Sequence, residues 1–279
     1  MSGFRIINGA PSNGEGGLSN GGGIQVLFSN LTIDRTTISS NSADSGGGIF
    51  SASSTLTVRN STISGNSAVD GGGIYTTDFE GPGVLNIINS TISGNSATGN
   101  GGGIYNSRST GQILFSTISN NSAQFGGGLY SNDGESGNTN TIRVQNSIVA
   151  GNQATEDSSS SEVANIGSGG FVSGGNNLVG QNGTVGGFPT IASDIILTRP
   201  IGEVLGPLAD NGGPTQTQAL LAGSPAIDAG TPVDGITTDQ RGESRPQGNA
   251  PDIGAFEVQP SPSPSPSPSR SPDDQSPTS

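Results

Sequence analysis

The stretch STISGNSAVDGGGIY, Ser61 to Tyr75, returns almost word for word as STISGNSATGNGGGIY, Ser90 to Tyr105. Looser copies lie on either side, and the Gly triplets of the series begin at Gly21, Gly46, Gly71, Gly101 and Gly126, spaced 25, 25, 30 and 25 residues apart. Self-similarity at a period of this length marks a stacked repeat, in which no unit can bury its apolar face alone. Each unit carries I-x-x-N just before its triplet, as in Ile63 to Asn66 and Ile92 to Asn95, with Val149 to Asn152 closing the series. An apolar pair precedes it (Leu56 and Val58, Leu85 and Ile87), and a third apolar position follows the glycines at Ile24, Ile49, Ile74, Ile104 and Leu129.

Three short apolar segments alternating with polar residues, separated by Gly, Asn and Ser, read as three strands and three turns per unit. None has helical spacing. The fold expected is all-β: a right-handed parallel β-helix of about 25 residues per coil, with successive coils ~4.8 Å apart. The arc after each aromatic residue varies in length, so DFEGPG (Asp78 to Gly83) and SNDGESGNTN (Ser131 to Asn140) are expected to leave the trunk on one side, where a binding face would be built.

The period also aligns side chains into columns. Asn41, Asn66, Asn95, Asn121 and Asn152 should form a ladder of hydrogen-bonded amides at a turn. Phe50, Tyr75, Tyr105 and Tyr130 should form an outward aromatic column, which stabilises a sheet by cross-strand contact and can also stack on sugars. Thr37 and Ser39, Thr62 and Ser64, Thr91 and Ser93, and Thr117 and Ser119 flank the inward Ile residues as a flat grid of hydroxyls. Such a grid is ordinary strand surface or, as a minor alternative, an ice-binding face; the series breaks at Ile148.

Composition narrows the chemistry. With 48 Gly among 279 residues, 29% hydrophobic and 4% aromatic residues, a core of large interdigitated side chains is thinly supplied, which favours a narrow repeating bore. There is no His, no Cys and no Lys; the nine basic residues are all Arg. Ser-His and Cys-His nucleophile pairs, zinc and haem sites of familiar type and disulfides are therefore excluded, and any metal would have to be held by oxygen ligands. A net charge of −13 argues against a nucleic-acid partner, whose phosphates require clustered cations. No apolar run approaches the ~20 residues of a membrane helix, and Met1 to Asn20 has no signal-peptide pattern.

In the second half, Asp228, Asp239, Arg241, Arg245, Asp252 and Glu257 gather within 30 residues rich in Gly and Pro. Carboxylates and guanidinium groups so placed read as a cap held by ion pairs beside the open end of the solenoid, with a Ca²⁺ site as the alternative. The acids of the repeats are isolated apart from Asp78 with Glu80 and Asp133 with Glu135, both on the inserted loops.

These residues also carry a resemblance. The STISGNSA…GGGIY units look like the pectin lyase-like right-handed β-helix repeats of bacterial surface proteins, and I-x-x-N with GGGI is similar to the paired tetrapeptides of chlamydial polymorphic outer membrane proteins. NNLVG (Asn176 to Gly180), LGPLADNGGPTQTQALLAGSPAIDAG (Leu205 to Gly230), TDQRGESRP (Thr238 to Pro246) and DIGAFE (Asp252 to Glu257) resemble the choice-of-anchor Q domain. The resemblance spans about Gly21 to Glu257 and implies β-helix repeats over 1–175, with further coils before them, and last coils and a cap over 176–258. A disordered Pro/Ser tail is expected over 259–279. It implies a monomeric, extracellular or cell-surface protein of bacteria, non-catalytic, without a cofactor, engaged with extracellular polysaccharide or other surface proteins. The runner-up is a carbohydrate-active β-helix, since the superfamily includes polysaccharide lyases that pair a Lys or Arg base with acidic Ca²⁺ ligands.

Overall fold

The computed structural model describes residues 2–11, 19–132, 140–156, 162–166, 170–180 and 187–260. Parallel strands stack into a β-solenoid of about 5 turns. One 8-stranded sheet runs through Thr37–Ser39, Thr62–Ser64, Thr91–Ser93, Thr117–Ser119 and Ile148–Ala150. A 6-stranded sheet contains Asn30–Asp34, Thr55–Arg59, Val84–Ile88, Thr110–Leu114 and Thr141–Gln145, and a second 6-stranded sheet contains Ile24–Leu27, Ile49–Ala52, Ile74–Thr77, Ile104–Ser107 and Leu129–Asn132. A narrow fourth sheet of two-residue strands, such as Ser96–Ala97, turns the corner after the Asn ladder. Among the described residues there is no α-helix, and no helix is long and apolar enough to cross a membrane.

Registers are exact from coil to coil: Ile38, Ile63, Ile92, Ile118 and Val149 pair in one row, and Ile49, Ile74, Ile104 and Leu129 in another. Alternation sends these residues into the bore, where they form one continuous buried core with Leu56, Val58, Leu85 and Ile87. Phe171 and Phe188 join its last turns. The average rise is about 29 residues per turn rather than 25, because the segments that follow the aromatic positions lengthen some coils while the arc through I-x-x-N and the glycines stays fixed.

The glycine triplet serves a crowded corner. The first glycine has a left-handed backbone (φ +67° at Gly71), and a Cβ on the second, Gly72, would run into the Ser96 carbonyl oxygen. A second corner, before each Thr-Ile-Ser strand, is also left-handed although its residues are not glycine: Arg35, Asn60, Asn89, Phe115, Asn146 and Asn176 have φ between +45° and +54°. Asn tolerates this conformation better than most residues, and four of the six positions use it.

The C-terminal block, residues 205–258, does not cap the open end of the solenoid, as the sequence suggested, but lies along its flank. It carries an antiparallel pair, Leu205–Ala209 with Thr217–Leu220, and covers the outer face of the Thr-Ile-Ser sheet. The cause is visible in the outward column. Thr62, Thr91 and Thr117 give way to Ile148 and Leu178, and these apolar residues form a second core with Leu205, Leu220, Ala226 and Ile253. Of the expected Pro/Ser tail, residues 261–279 lie outside the described residues.

Candidate functional site

The Asn column is a continuous ladder inside the trunk. The Nδ2 groups of Asn41, Asn66, Asn95 and Asn121 each donate to the Oδ1 of the next Asn at 2.9 Å, and the same Oδ1 accepts the backbone N–H above it at 3.0 Å. Each Nδ2 spends its other proton on a carbonyl of the coil above, as Asn95 does on Ile63 at 3.0 Å. The amides are therefore saturated, and no polar atom of the ladder is offered to a ligand. At the lower end the acceptor is a carboxylate: Glu162 receives Asn152 Nδ2 at 2.7 Å, the Asn152 N–H at 3.2 Å and the Gly151 N–H at 2.9 Å. Burial pushes this carboxyl up to about 7 against the pull of those three donors.

A second ladder went unread in the sequence. The residue just before each Thr-Ile-Ser strand, and before Ile148–Ala150, carries a hydroxyl, and in Ser61, Ser90, Ser116 and Ser147 it accepts the backbone N–H of the equivalent residue above: Thr36 to Ser61, Ser61 to Ser90, Ser90 to Ser116 and Ser116 to Ser147, all at 3.1 to 3.2 Å. It continues through Ser147 N–H to Asn177 Oδ1 and Asn177 N–H to Asp194 Oδ1, both at 3.0 Å, so it too ends on a carboxylate. In both ladders the backbone N–H groups, and in the first the amide-to-amide donors, point toward the same end of the trunk, so each ladder ends on an acceptor, here a carboxyl group. The first Ser of the repeated STIS phrase was the available signal.

Asp228, Asp239, Arg241, Arg245, Asp252 and Glu257 of the C-terminal block come together in one knot against the flank. Arg245 is fully buried, donates to Glu257 at 2.8 Å and to the Gly254 carbonyl at 2.9 Å, and lies over the Phe115 ring at 4.4 Å. Arg241 pairs with Asp239 at 2.7 Å and stacks on Phe256 at 3.7 Å. The carboxylates are held by backbone donors: Asp239 by the Arg241, Glu243 and Glu257 N–H groups, Asp252 by Asp228 and Val258, Glu257 by Gln247 and Asp252, and Asp228 by Ala250. Burial raises the Asp252 carboxyl to about 6 and lowers the Arg245 guanidinium from its usual range, the latter opposed by Glu257. With their lone pairs so engaged, these acids make a structural clasp. Among the described residues no group of three or more carboxylates is placed to hold a metal ion.

The clasp consumes the hydroxyl grid. Thr91 donates to Gln240 Oε1 at 2.7 Å, Gln240 Nε2 reaches Thr62 at 3.0 Å, Thr117 accepts the Ala255 N–H at 3.1 Å, and Ser119 bonds Gln218. Thr62, Thr91, Thr117, Ser93 and Ser119 are buried, and only Thr37, Ser39 and Ser64 keep partial exposure. The flat ice-binding face considered from the sequence is thus the seat of the C-terminal block. The left-handed corner supplies the seam: Asn89, Asn146 and Asn176 donate to the carbonyls of Thr238, Thr231 and Ala229 at 2.8, 2.8 and 3.1 Å.

The aromatic column stands outside the bore but is not an open platform. Phe50, Tyr75, Tyr105 and Tyr130 pile ring on ring, with centroids 5.3, 4.5 and 4.9 Å apart, and Phe50, Tyr105 and Tyr130 are buried. Burial also raises all three phenols above their usual range. A sugar cannot slide between rings already in contact. The face of Phe50 turned toward the first coil is different, because its register partner there is Gln25, which brings no ring. Beside it opens a cleft of about 530 Å³ lined by Leu27, Phe28, Phe79 and Glu80 among others.

Acids of the repeats are engaged apart from one another. Asp34 meets Arg35 at 3.2 Å and Arg59 at 3.4 Å, Asp70 accepts the Asn100 N–H at 2.8 Å, and Asp78 on its loop pairs with Arg108 at 2.9 Å. Asp133 and Glu135 lie outside the described residues.

No curated protein matches the chain. The family profile of the Chlamydia polymorphic membrane protein (Chlamydia_PMP) repeat matches residues 60–77 and 89–107, the two copies of the phrase that builds the ladder corner and the middle aromatic rungs, so two consecutive coils of this β-solenoid are similar to the polymorphic membrane protein repeat.

Proposed function

We infer that the protein is a non-catalytic component of a bacterial cell surface or outer envelope, where the solenoid serves as a rod that displays its loops in an adhesion or matrix role. The observation that carries this is the match of two consecutive coils to the polymorphic membrane protein repeat. The side-chain chemistry agrees with it. The ladders, the clasp and the aromatic column account for most of the polar and aromatic columns of the chain, and all of them hold coils together. TDQRGESRP and DIGAFE, the motifs similar to the choice-of-anchor Q domain, supply Asp239, Gln240, Arg241, Arg245, Asp252 and Glu257 to the clasp. That arrangement supports reading the C-terminal block as such a domain closing a surface β-helix.

The test is antibody labelling of intact cells of the source organism, alongside an unsaturated-uronate absorbance assay of the purified chain on acidic polysaccharides with added Ca²⁺. Labelling without permeabilisation and no turnover are expected. Labelling that requires permeabilisation would overturn the location, and turnover would replace the non-catalytic reading with that of a polysaccharide lyase.

A further inference from the structure

We propose that the cleft at the head of the aromatic column is a binding subsite for a neutral pyranose sugar, whose ring packs against the exposed rings of Phe28 and Phe79 beside Phe50. Phe50 closes one side of the cleft, with Tyr75 beneath it in the column at 5.3 Å. Gln25 occupies the register position where the next ring would stand. Leu27, Phe28 and Phe79 wall the cleft, and all three are exposed, Phe79 to 72% and Phe28 to 60%. Among the described residues of the repeats most large apolar side chains fill the bore, and other exposed ones, such as Val69 and Phe125, do not line the cleft, so this concentration on the first coil and one loop is not a packing requirement of the bore.

The shape and chemistry select the class. A space of about 530 Å³ accommodates one or two sugar rings. The C–H face of a pyranose packs on an aromatic ring as another ring would, and its hydroxyls need the polar rim that Gln25 and Glu80 provide. Glu80 is the one charged residue of the lining, and the chain carries −13 overall, so uronates and other anionic sugars are repelled. The subsite adds a ligand class to the surface role inferred above, which stands or falls separately on labelling of intact cells.

Binding to the full chain is read by ligand-observed saturation-transfer NMR and calorimetry with cellotriose and triacetylchitotriose as neutral probes and trigalacturonate as the acidic one. At least one neutral trisaccharide is expected to bind. Phe79→Ser should weaken it by about fivefold or more, the worth of one aromatic contact, while Phe125→Ser, an exposed ring remote from the cleft, leaves it unchanged. Circular dichroism of the variants checks that the solenoid is intact. Absence of binding by both neutral probes, affinity indifferent to Phe79→Ser and Phe28→Ser, or trigalacturonate binding as tightly as the neutral sugars would each overturn the proposal.

Discussion

Asn95→Ala tests the amide ladder where it is best defined, in the middle of the trunk. Asn95 Oδ1 accepts the Asn66 N–H at 3.0 Å and Asn66 Nδ2 at 2.9 Å, while its own Nδ2 donates to Asn121 Oδ1 at 2.9 Å and the Ile63 carbonyl at 3.0 Å. Removal leaves the Asn66 N–H without its acceptor and strips one of the two acceptors from Asn66 Nδ2, in a site that water does not reach. At ~1–3 kcal/mol for each buried group left unpaired, the loss is about 3 kcal/mol. With an m-value of about 2 kcal/mol/M, the urea midpoint followed by circular dichroism should fall by about 1.5 M. Asn95→Asp sharpens the test, because a carboxylate keeps the two bonds from Asn66 but presents a charge to two oxygens. It should be the less stable of the two variants at neutral pH and recover as acid protonates it and restores a donor. A loss under ~1 kcal/mol for Asn95→Ala, or an Asn95→Asp protein as stable as the parent at neutral pH, would refute the ladder as a stabilising array.

Three further outcomes follow from the geometry. The Glu162 carboxyl is raised from 4.5 to about 7 in the folded chain, so its protonated form is favoured by folding. The associated stability is present in full below pH 4.5 and is lost as pH rises through 7. That loss is on the order of 3 kcal/mol, and Glu162→Gln should flatten this part of a melting-temperature profile against pH. Arg245→Ala strands Glu257 in the flank and should cost about 3–5 kcal/mol. The readout is limited proteolysis, in which the C-terminal block is cut first and the trunk survives; simultaneous loss of both would contradict the assignment of Arg245 to the clasp. Ile148→Thr restores the hydroxyl of the earlier coils at a position that the second core makes apolar. It should destabilise docking of the block by about 2 kcal/mol, measured in the same assay.

The trunk was legible because it is periodic: Ile63, Asn66, Gly71 and Tyr75 recur at nearly constant offsets, and strand alternation assigns each one a side. Alternation gives a side and not an exposure. Thr62 and Thr91 point out of the bore as read, yet they are buried because Gln240, 178 and 149 residues away, lies across them. A contact of that span leaves no local pattern, and the clasp residues repeat nowhere else in the chain. One signal did exist. Where the outward column changes from Thr117 to Ile148 and then Leu178, the sheet is preparing an apolar seat, and a break in a hydroxyl series records what covers it. The aromatic column was placed correctly on the outside of the strands, but the registered spacing that aligned its rings also closed their faces to a ligand.

The block on the flank changes how such a rod should come apart. Coils that touch only their neighbours add their stabilities pairwise, and such a stack frays from its ends. Here one segment is fastened to Asn60 by Thr215, to Asn89 by Thr238, to Asn146 by Thr231 and to Asn176 by Ala229, with its anchor points spread along the axis. A coil cannot peel away without releasing a splint shared with the others. Tension applied along the axis is carried by that splint as well as by the sheets, and the bound coils yield together or not at all.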